Sequence, residues 1–480
     1  MKLKALLFLL LLPLFWIGVG HTHDWGDDFA QYLIQASNIS NHNAQEQNGL
    51  VYFDDQNTLP YALKAYPVGF PLFLAPVFFY FGLDIYPYLI LMTIFLLMAA
   101  QRTFKFSKKE FSETTALLLA LLFAYNAFSL LLKREILSEW PFVVFLLSVF
   151  LQLRKDRDKD YIKAGLTAGF LMSIRLAGIV ILPAVIISIW LSNQPVKQKF
   201  FRLGAFSFFS VAVFLILNAL IFHLNPMDMF SFYNTHWSHH DLSFFTNLSG
   251  TMKNIAAAIC LPMESDAWTI VTAAILLTGL AVKAKDNAPS WWFFIFFILL
   301  ISFYPDTNSL HRLFFPVLPL ALFYFVHGLF TIVKALRAEA AKEYVLAAIS
   351  GLCIAYSIYF EQMQAPADGP YSKSAAEAFQ YIREYTPKDA IIVFPRARAM
   401  SLYGKRRAAF LSDNISDEEN RANLEKIGSR FILYPDERSG AFNKHLQSYL
   451  IKNKKNYHTV WSNGTYVLLA VNDPSRLAMQ

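Results

Sequence analysis

The sequence predicts an α-helical polytopic membrane protein with a small α/β domain outside the membrane at its C-terminus. Three observations predict this. Apolar residues make up 55% of the 480, and they arrive in runs long enough to cross a bilayer, which takes about 20 residues of helix. Charged residues are only 16%, against about 25% in ordinary soluble domains, and 116–124, 208–221 and 291–303 contain none. Residues 361–480 change character, alternating short apolar runs with polar turns. The net charge of +7 comes from basic clusters between apolar runs. Membrane topology produces that distribution, and a nucleic-acid-binding face does not. The two cysteines, Cys260 and Cys353, form neither a disulfide framework nor a metal-type spacing.

Taken in order, Lys2 and Lys4 place the start of the apolar run 3–20 on the cytoplasmic side. It reads as a retained first span rather than a cleaved signal peptide. Residues 21–68 are polar and lie outside. The stretch Tyr66-Pro67-Val68-Gly69-Phe70-Pro71 predicts a broken, interfacial return to the membrane, with 72–82 dipping partly in. Span 86–100 ends at Arg102, Lys105, Lys108 and Lys109. Span 113–131 goes out to a turn at 133–139, and 140–153 comes back. Segment 161–191 lies between two basic loops, so it crosses an even number of times, as a hairpin with Arg175 at its outer turn. Spans 203–222, 267–282, 291–304, 313–333 and 344–359 complete about eleven crossings. Residues 1–360 thus form the membrane domain and 361–480 a soluble tail. The tail reads as helix 375–384, strand 390–394, helix 397–403, strand 408–411, helix 417–427 and strand 431–434. A hairpin of 458–461 and 466–471 across Asn463-Gly464 closes it.

With that topology the notable polar groups share the outer face. They are Asp24, Asp27 and Asp28, then Arg134, Glu135 and Glu139, then Arg175, then His311 and Arg312. Ionisable groups held at span ends point to function. Phe29, Tyr32, Leu33 and Ala36 are spaced as one helix face, so Asp28 opens an interfacial helix with Asp27 at the cap. A carboxylate fixed there ionises and is able to take a proton. Glu139 precedes Trp140-Pro141 as a helix-start acid. Arg134 and Arg312 sit on the face where positive charge is disfavoured, which argues for an anionic ligand, and Arg175 in an apolar turn argues the same way. His21 and His23 beside Asp24 are the better candidates for a divalent metal. His236, His239 and His240 match no specific metal spacing.

These residues together resemble the GT-C membrane glycosyltransferases, which take sugars from polyprenyl-phosphate carriers. The group includes protein O-mannosyltransferases, aminoarabinose transferases of lipid A and bacterial family-39-type enzymes. The first outer loop of that family carries an acid, a tyrosine four residues on and a small residue four further, here Asp28, Tyr32 and Ala36. The usual second acid is replaced by Phe29, with Asp27 ahead instead. Tyr66 to Leu72 is similar to the family's proline-rich approach to the second span. Arg134 and Glu139 resemble its second-loop arginine and acid. Gly165, Gly169 and Arg175 resemble a glycine-rich span ending in arginine. His311-Arg312, with Pro316 and Pro319, is similar to its Arg-Tyr-x-x-Pro-x-x-Pro element, and residues 381–387 are similar to a recurrent opening of its periplasmic domain.

The resemblance implies an inverting transfer of a hexosyl or pentosyl group from a polyprenyl-phosphate-linked sugar to a lipid, glycan or protein hydroxyl at the outer face. Asp28, or Asp27, would be the base. Arg312, Arg134 and Arg175 would hold the carrier phosphate, and Glu139, Tyr32 and His311 would contact acceptor or sugar. A divalent ion is the one cofactor left open, with His23 and Asp24 as candidates. The expected location is the inner (plasma) membrane, tail in the periplasm, among membrane lipids and with no nucleic-acid partner. The alternative is a multi-span lipid or solute transporter or flippase. Such a protein would place its polar groups at mid-bilayer in paired repeats, and no repeat is visible here.

Overall fold

A computed structural model describes residues 2–51, 65–229, 244–260, 265–304, 310–364, 368–412 and 415–472. His236, His239 and His240 lie outside the described residues. Among those described, five helices are long and apolar enough to cross a membrane: Ile85–Ser107, Val196–Ile221, Asp266–Ala284, His311–Ala335 and Glu339–Met363. Shorter apolar helices stand beside them, including Gly69–Phe81, Glu113–Ala124, Glu139–Leu153 and Pro289–Ser302.

Local chemistry explains where these helices start and stop. Glu113–Ala124 opens on Ser112, whose hydroxyl accepts the Thr115 N–H. It does not run on to residue 131. Asn126 recaps the chain, accepting from Phe128 N–H, and a separate short helix Ala127–Leu132 follows. The return is non-helical over 65–68, and from Gly69 it is a helix, Gly69–Phe81, that also holds Pro76 in its interior. Pro71 stands in its first turn, where a backbone N–H has no intrahelical partner to lose, so proline is tolerated. Val196–Leu215 passes into a π-turn, Ile216–Ile221. There the buried Asn218 accepts the Val68 N–H at 3.1 Å and donates to the Ser173 hydroxyl at 3.0 Å, fixing the segment that follows Tyr66.

Small residues set the closest helix approaches. Asp158–Ile174 lies along Val196–Leu215, and a Cβ on Gly169 would fall 2.4 Å from the Ser210 carbonyl oxygen. The glycines of that helix therefore act as a packing surface. The tightest contact joins Asp266–Ala284 to Leu318–Ala335. A Cβ on Gly328 would meet the Ile275 carbonyl oxygen at 1.8 Å, and one on Gly279 would meet the Tyr324 carbonyl oxygen at 1.8 Å. Neither carbonyl can move without breaking its helix. Gly328→Val is expected to cost about 3 kcal/mol or more, the upper end for overpacked interiors. Thermal unfolding of the detergent-solubilised protein checks it, and a Tm within a degree of wild type would refute the packing described.

The tail builds a five-stranded sheet of β1 (Ile391–Val393), β2 (Arg407–Ala409), β3 (Phe431–Pro435), β4 (Tyr457–Ser462) and β5 (Tyr466–Val471), in the order β2-β1-β3-β5-β4. β1 is parallel to β2 and β3, and β5 is antiparallel to β3 and β4. The hairpin turns at Gly464, whose φ of +83° suits glycine. Helix Asp417–Lys426 opens on a capping box of Ser416 and Glu419. A helix at Lys444–Lys452 carries too few apolar residues to stand out in the sequence. It buries only Leu446 and Tyr449.

Several contacts tie the tail to segment 21–68 and to the chain just after helix Gly69–Phe81. Val51 N–H donates to the Ala408 carbonyl and Ala408 N–H to the Gly49 carbonyl, at 2.8 and 2.9 Å. The loop thereby extends the sheet past β2. Trp25, 2% exposed, donates its indole N–H to the Ser439 carbonyl at 2.7 Å and packs edge-on against Phe379 and Phe394. Tyr371 bonds the Leu83 carbonyl and the Tyr403 hydroxyl.

Candidate active site

The site is assembled from helix ends. Asp28 is the first residue of helix Asp28–Ser40, where the N-terminal dipole favours a carboxylate. Glu139 is the first residue of Glu139–Leu153 and is fully buried. Arg175 follows the last residue of Asp158–Ile174 in an extended conformation. Arg312 lies in Leu310–Phe314, where 3-10 residues Phe315–Val317 interrupt the helical path on either side of Pro316.

The fold brings these four together. Arg312 donates Nη1–H to Asp28 Oδ2 at 2.7 Å and Nε–H to Glu139 Oε1 at 2.6 Å. Arg175 pairs with the same Glu139 oxygen and reaches the Ser138 hydroxyl at 3.4 Å. Tyr32 meets that hydroxyl at 3.0 Å. Glu139 Oε2 is buried and has no hydrogen-bond partner among the described residues. An unused carboxylate oxygen in such a place is a ready acceptor for a hydroxyl.

Two members of the site were not singled out by the sequence. Tyr66 donates its hydroxyl to Asp28 Oδ1 at 2.5 Å. Its backbone is clamped by Gln35, which takes the Tyr66 N–H and gives to its carbonyl. Arg398 comes from the tail. It donates to the Tyr66 hydroxyl at 2.8 Å, approaches Asp28 Oδ1 at 3.5 Å and Asp27 Oδ2 at 3.8 Å, and lies over the Tyr66 ring. A cation inside the apolar run Ala397–Met400 was the one signal the sequence offered.

Other candidates lie elsewhere or in other roles. Arg134 pairs with Glu361 at the end of helix Lys342–Met363, with Nε at 2.6 Å. His311 stacks on Phe128. Asp27 occupies the cap position but makes no side-chain cap bond, because it faces Arg398 instead. His23 is buried, and its Nδ1–H donates to the Asp24 carbonyl while Nε2 accepts the Ile136 N–H. No lone pair remains for a metal. Asp24 accepts its neighbour's N–H at 2.6 Å. Among the described residues no group of three or more His, Cys, Asp or Glu side chains is placed to hold an ion, and both carboxylates of the centre face guanidinium groups.

The electrostatics follow from burial and pairing. Burial disfavours the Asp28 charge, but Arg312, Arg398 and the Tyr66 bond outweigh it and hold the carboxyl well below its usual range. Burial pushes Asp27 up. Burial draws His23 down to about 4, so it is neutral at pH 7. Glu135 is pushed up to about 7 by burial and, despite Arg312, by the negative charge of Asp24, Glu139 and Asp28. Three guanidinium groups thus face two ionised carboxylates, and Glu135 adjusts the remaining charge near neutrality.

No protein-family sequence model matches the chain, and no curated protein sequence matches it. Solved structures do. ArnT from Cupriavidus metallidurans bound to undecaprenyl phosphate superposes with a TM-score of 0.63 at 10% identity, covering 97% of each chain. The GT-C fold is the fold of this chain. The Archaeoglobus fulgidus oligosaccharyltransferase in its apo form gives 0.60 at 12% identity over 98% of this chain and 74% of that one. The mycobacterial arabinofuranosyltransferase AftD gives 0.55 at 12% over 98% and 40%. At such identities the likeness carries the architecture alone.

Proposed function

We propose that the chain is an inverting glycosyltransferase that moves a sugar from a polyprenyl-phosphate carrier to an acceptor hydroxyl at the outer face of the inner membrane. The observation that carries this reading is the pairing of Asp28 with Arg312 at the head of a GT-C bundle. ArnT with that architecture was crystallised bound to undecaprenyl phosphate, and the A. fulgidus oligosaccharyltransferase was crystallised tethered to an acceptor peptide. In this reading the chain crosses the membrane about eleven times, residues 1–360 form the membrane domain, and 361–480 stand in the periplasm. The acceptor is a lipid, glycan or protein.

The acceptor oxygen attacks the anomeric carbon as the bond from that carbon to the carrier phosphate breaks. The acceptor proton goes to Asp28, the carrier leaves as polyprenyl phosphate, and one direct displacement inverts the anomeric centre. Arg312 and Arg175 stabilise charge growing on the leaving phosphate. A carboxylate held as tightly as Asp28 is a weak base. The arriving phosphate competes for Arg312, loosens its grip on Asp28 and raises the proton affinity of that carboxylate when the acceptor is in place. Glu139 Oε2 takes a substrate hydroxyl, and Tyr32 with Ser138 lines the approach.

The direct test is incubation of the purified protein with a panel of labelled polyprenyl-phosphate sugars and membrane acceptors, read by loss of donor. Consumption of one donor with inverted product supports the reading. Retention of configuration, or no consumption across the panel by protein that still binds carrier, rejects it.

A pH prediction follows from Glu135. The donor is a phosphodiester without a proton of its own near neutrality. Below pH 7 Glu135 is protonated, and the site is one unit more positive. As pH rises from 6 to 8 the KM for donor is expected to rise roughly three- to tenfold, a screened charge–charge effect. Glu135→Gln should flatten this. A wild-type KM independent of pH would remove Glu135 from the site's charge balance.

A further inference from the structure

At the opposite end of the bundle from Asp28 lies a cavity of about 780 Å³ that the transfer reaction does not use. Its distance from the active site follows from one helix. Glu139 opens helix Glu139–Leu153, and Arg154, at the cavity, follows its last residue, about 22 Å along at 1.5 Å per residue. The floor is apolar: Phe73, Phe95, Met98, Val144, Phe145 and Leu151, with Phe73 packed against both Phe95 and Phe145. The rim is basic.

Two of the rim cations are satisfied. Arg154 donates to the Phe106 carbonyl at 2.7 Å and to Glu110 at 2.9 Å, and Lys108 pairs with Glu113. The other five, Lys4, Arg102, Lys105, Lys109 and Lys155, form no ion pair among the described residues. Lys105 reaches only the neutral Gln101 side chain, at 3.2 Å, while Arg102 and Lys4 stand close enough to repel it. Among the described residues no carboxylate lines the cavity. An excess of cations over an apolar floor is complementary to an amphiphile with an anionic head.

We propose that this cavity binds a doubly charged anionic phospholipid of the inner leaflet, a bis-phosphate lipid of the cardiolipin class, with its head on Lys4, Arg102, Lys105, Lys109 and Lys155 and its upper chains on the phenylalanine floor. Five unneutralised cations match a dianion better than the single charge of phosphatidylglycerol. The proposal rests on the chain crossing the membrane and not on the glycosyltransferase reading.

The test is native mass spectrometry of the full-length protein after exchange from nanodiscs containing cardiolipin, phosphatidylglycerol or phosphatidylcholine, with undecaprenyl phosphate and inorganic pyrophosphate as competitors. The expected result is retention of cardiolipin at least tenfold above phosphatidylcholine, a tenfold or greater loss in Arg102→Gln/Lys105→Gln, and rescue by the charge-preserving Arg102→Lys/Lys105→Arg. Pyrophosphate alone should compete poorly because it lacks chains. Unselective retention, undiminished retention in the neutral variant, or displacement by undecaprenyl phosphate or pyrophosphate in preference to cardiolipin would overturn it. Donor consumption measured in neutral lipid should be the same in wild type and the neutral variant, so failure here and failure of the transferase reading are told apart.

Discussion

Asp28→Asn is expected to lower sugar transfer by about 10²–10⁴-fold, the usual contribution of a positioned general base, with the protein still folded and still able to bind carrier. The substitution keeps the shape of the side chain but leaves one acceptor oxygen where there were two. It removes the charge that Arg312, Tyr66 and Arg398 converge on. Carrier binding should hold or tighten, because Arg312 loses a competitor for the phosphate. That combination, slower turnover without weaker donor binding, marks a group that acts in the transition state. It is measured by single-turnover transfer beside carrier affinity. Turnover within a few-fold of wild type would take the base role from Asp28, and Asp27→Asn would then be tested in its place. Asp27 is held apart by burial, which favours its neutral form, so its own substitution should cost far less.

Arg312→Lys is expected to fail nearly as badly as Arg312→Ala, although it preserves the charge. The guanidinium bridges two carboxylates from two helices, with Nη1 on Asp28 and Nε on Glu139. A lysine ammonium is a point charge and cannot hold that fork. Removing Arg312 altogether leaves Glu139, which is fully buried, with Arg175 as its remaining ion-pair partner. Breaking one side of a buried pair typically costs about 3–5 kcal/mol. Arg312→Ala should therefore lower thermal stability and raise the donor KM together, whereas Arg312→Lys should retain most stability and lose at least about tenfold in kcat/KM, about 1.4 kcal/mol. Wild-type kinetics in the lysine variant would show that charge alone suffices and would refute the bridging role.

The two kinds of result differ in how visible they were in the sequence. Helices, strand runs and the Asn463-Gly464 hairpin were legible because each depends on residues a few positions apart. Asp28, Glu139, Arg175 and Arg312 were legible as charges at helix ends, an arrangement that is costly near a bilayer unless it is used. Their pairing was not. Arg134 and Arg312 look alike in sequence, each an arginine on the disfavoured side of a span end. One closes a pair with Glu361 and the other completes the centre. His23 and Asp24 looked like metal ligands by residue type, yet both His23 ring nitrogens are already committed to backbone groups. The return at 66–72 is broken at Pro67, as proline and glycine suggested, and helical from Gly69, where Pro71 stands in the first turn.

By itself the amino-acid order determined where this chain is apolar and where it turns, since hydropathy, capping and turn chemistry act over a few residues. Tertiary structure alone decided which charge neutralises which, that a tail arginine, Arg398, reaches the first-loop acid Asp28, and that five cations at the opposite end remain without an ion pair among the described residues. The physical reason is range. Helix and strand formation is settled among neighbours along the chain, whereas Coulomb energy depends on separation in space, and folding brings together groups hundreds of residues apart.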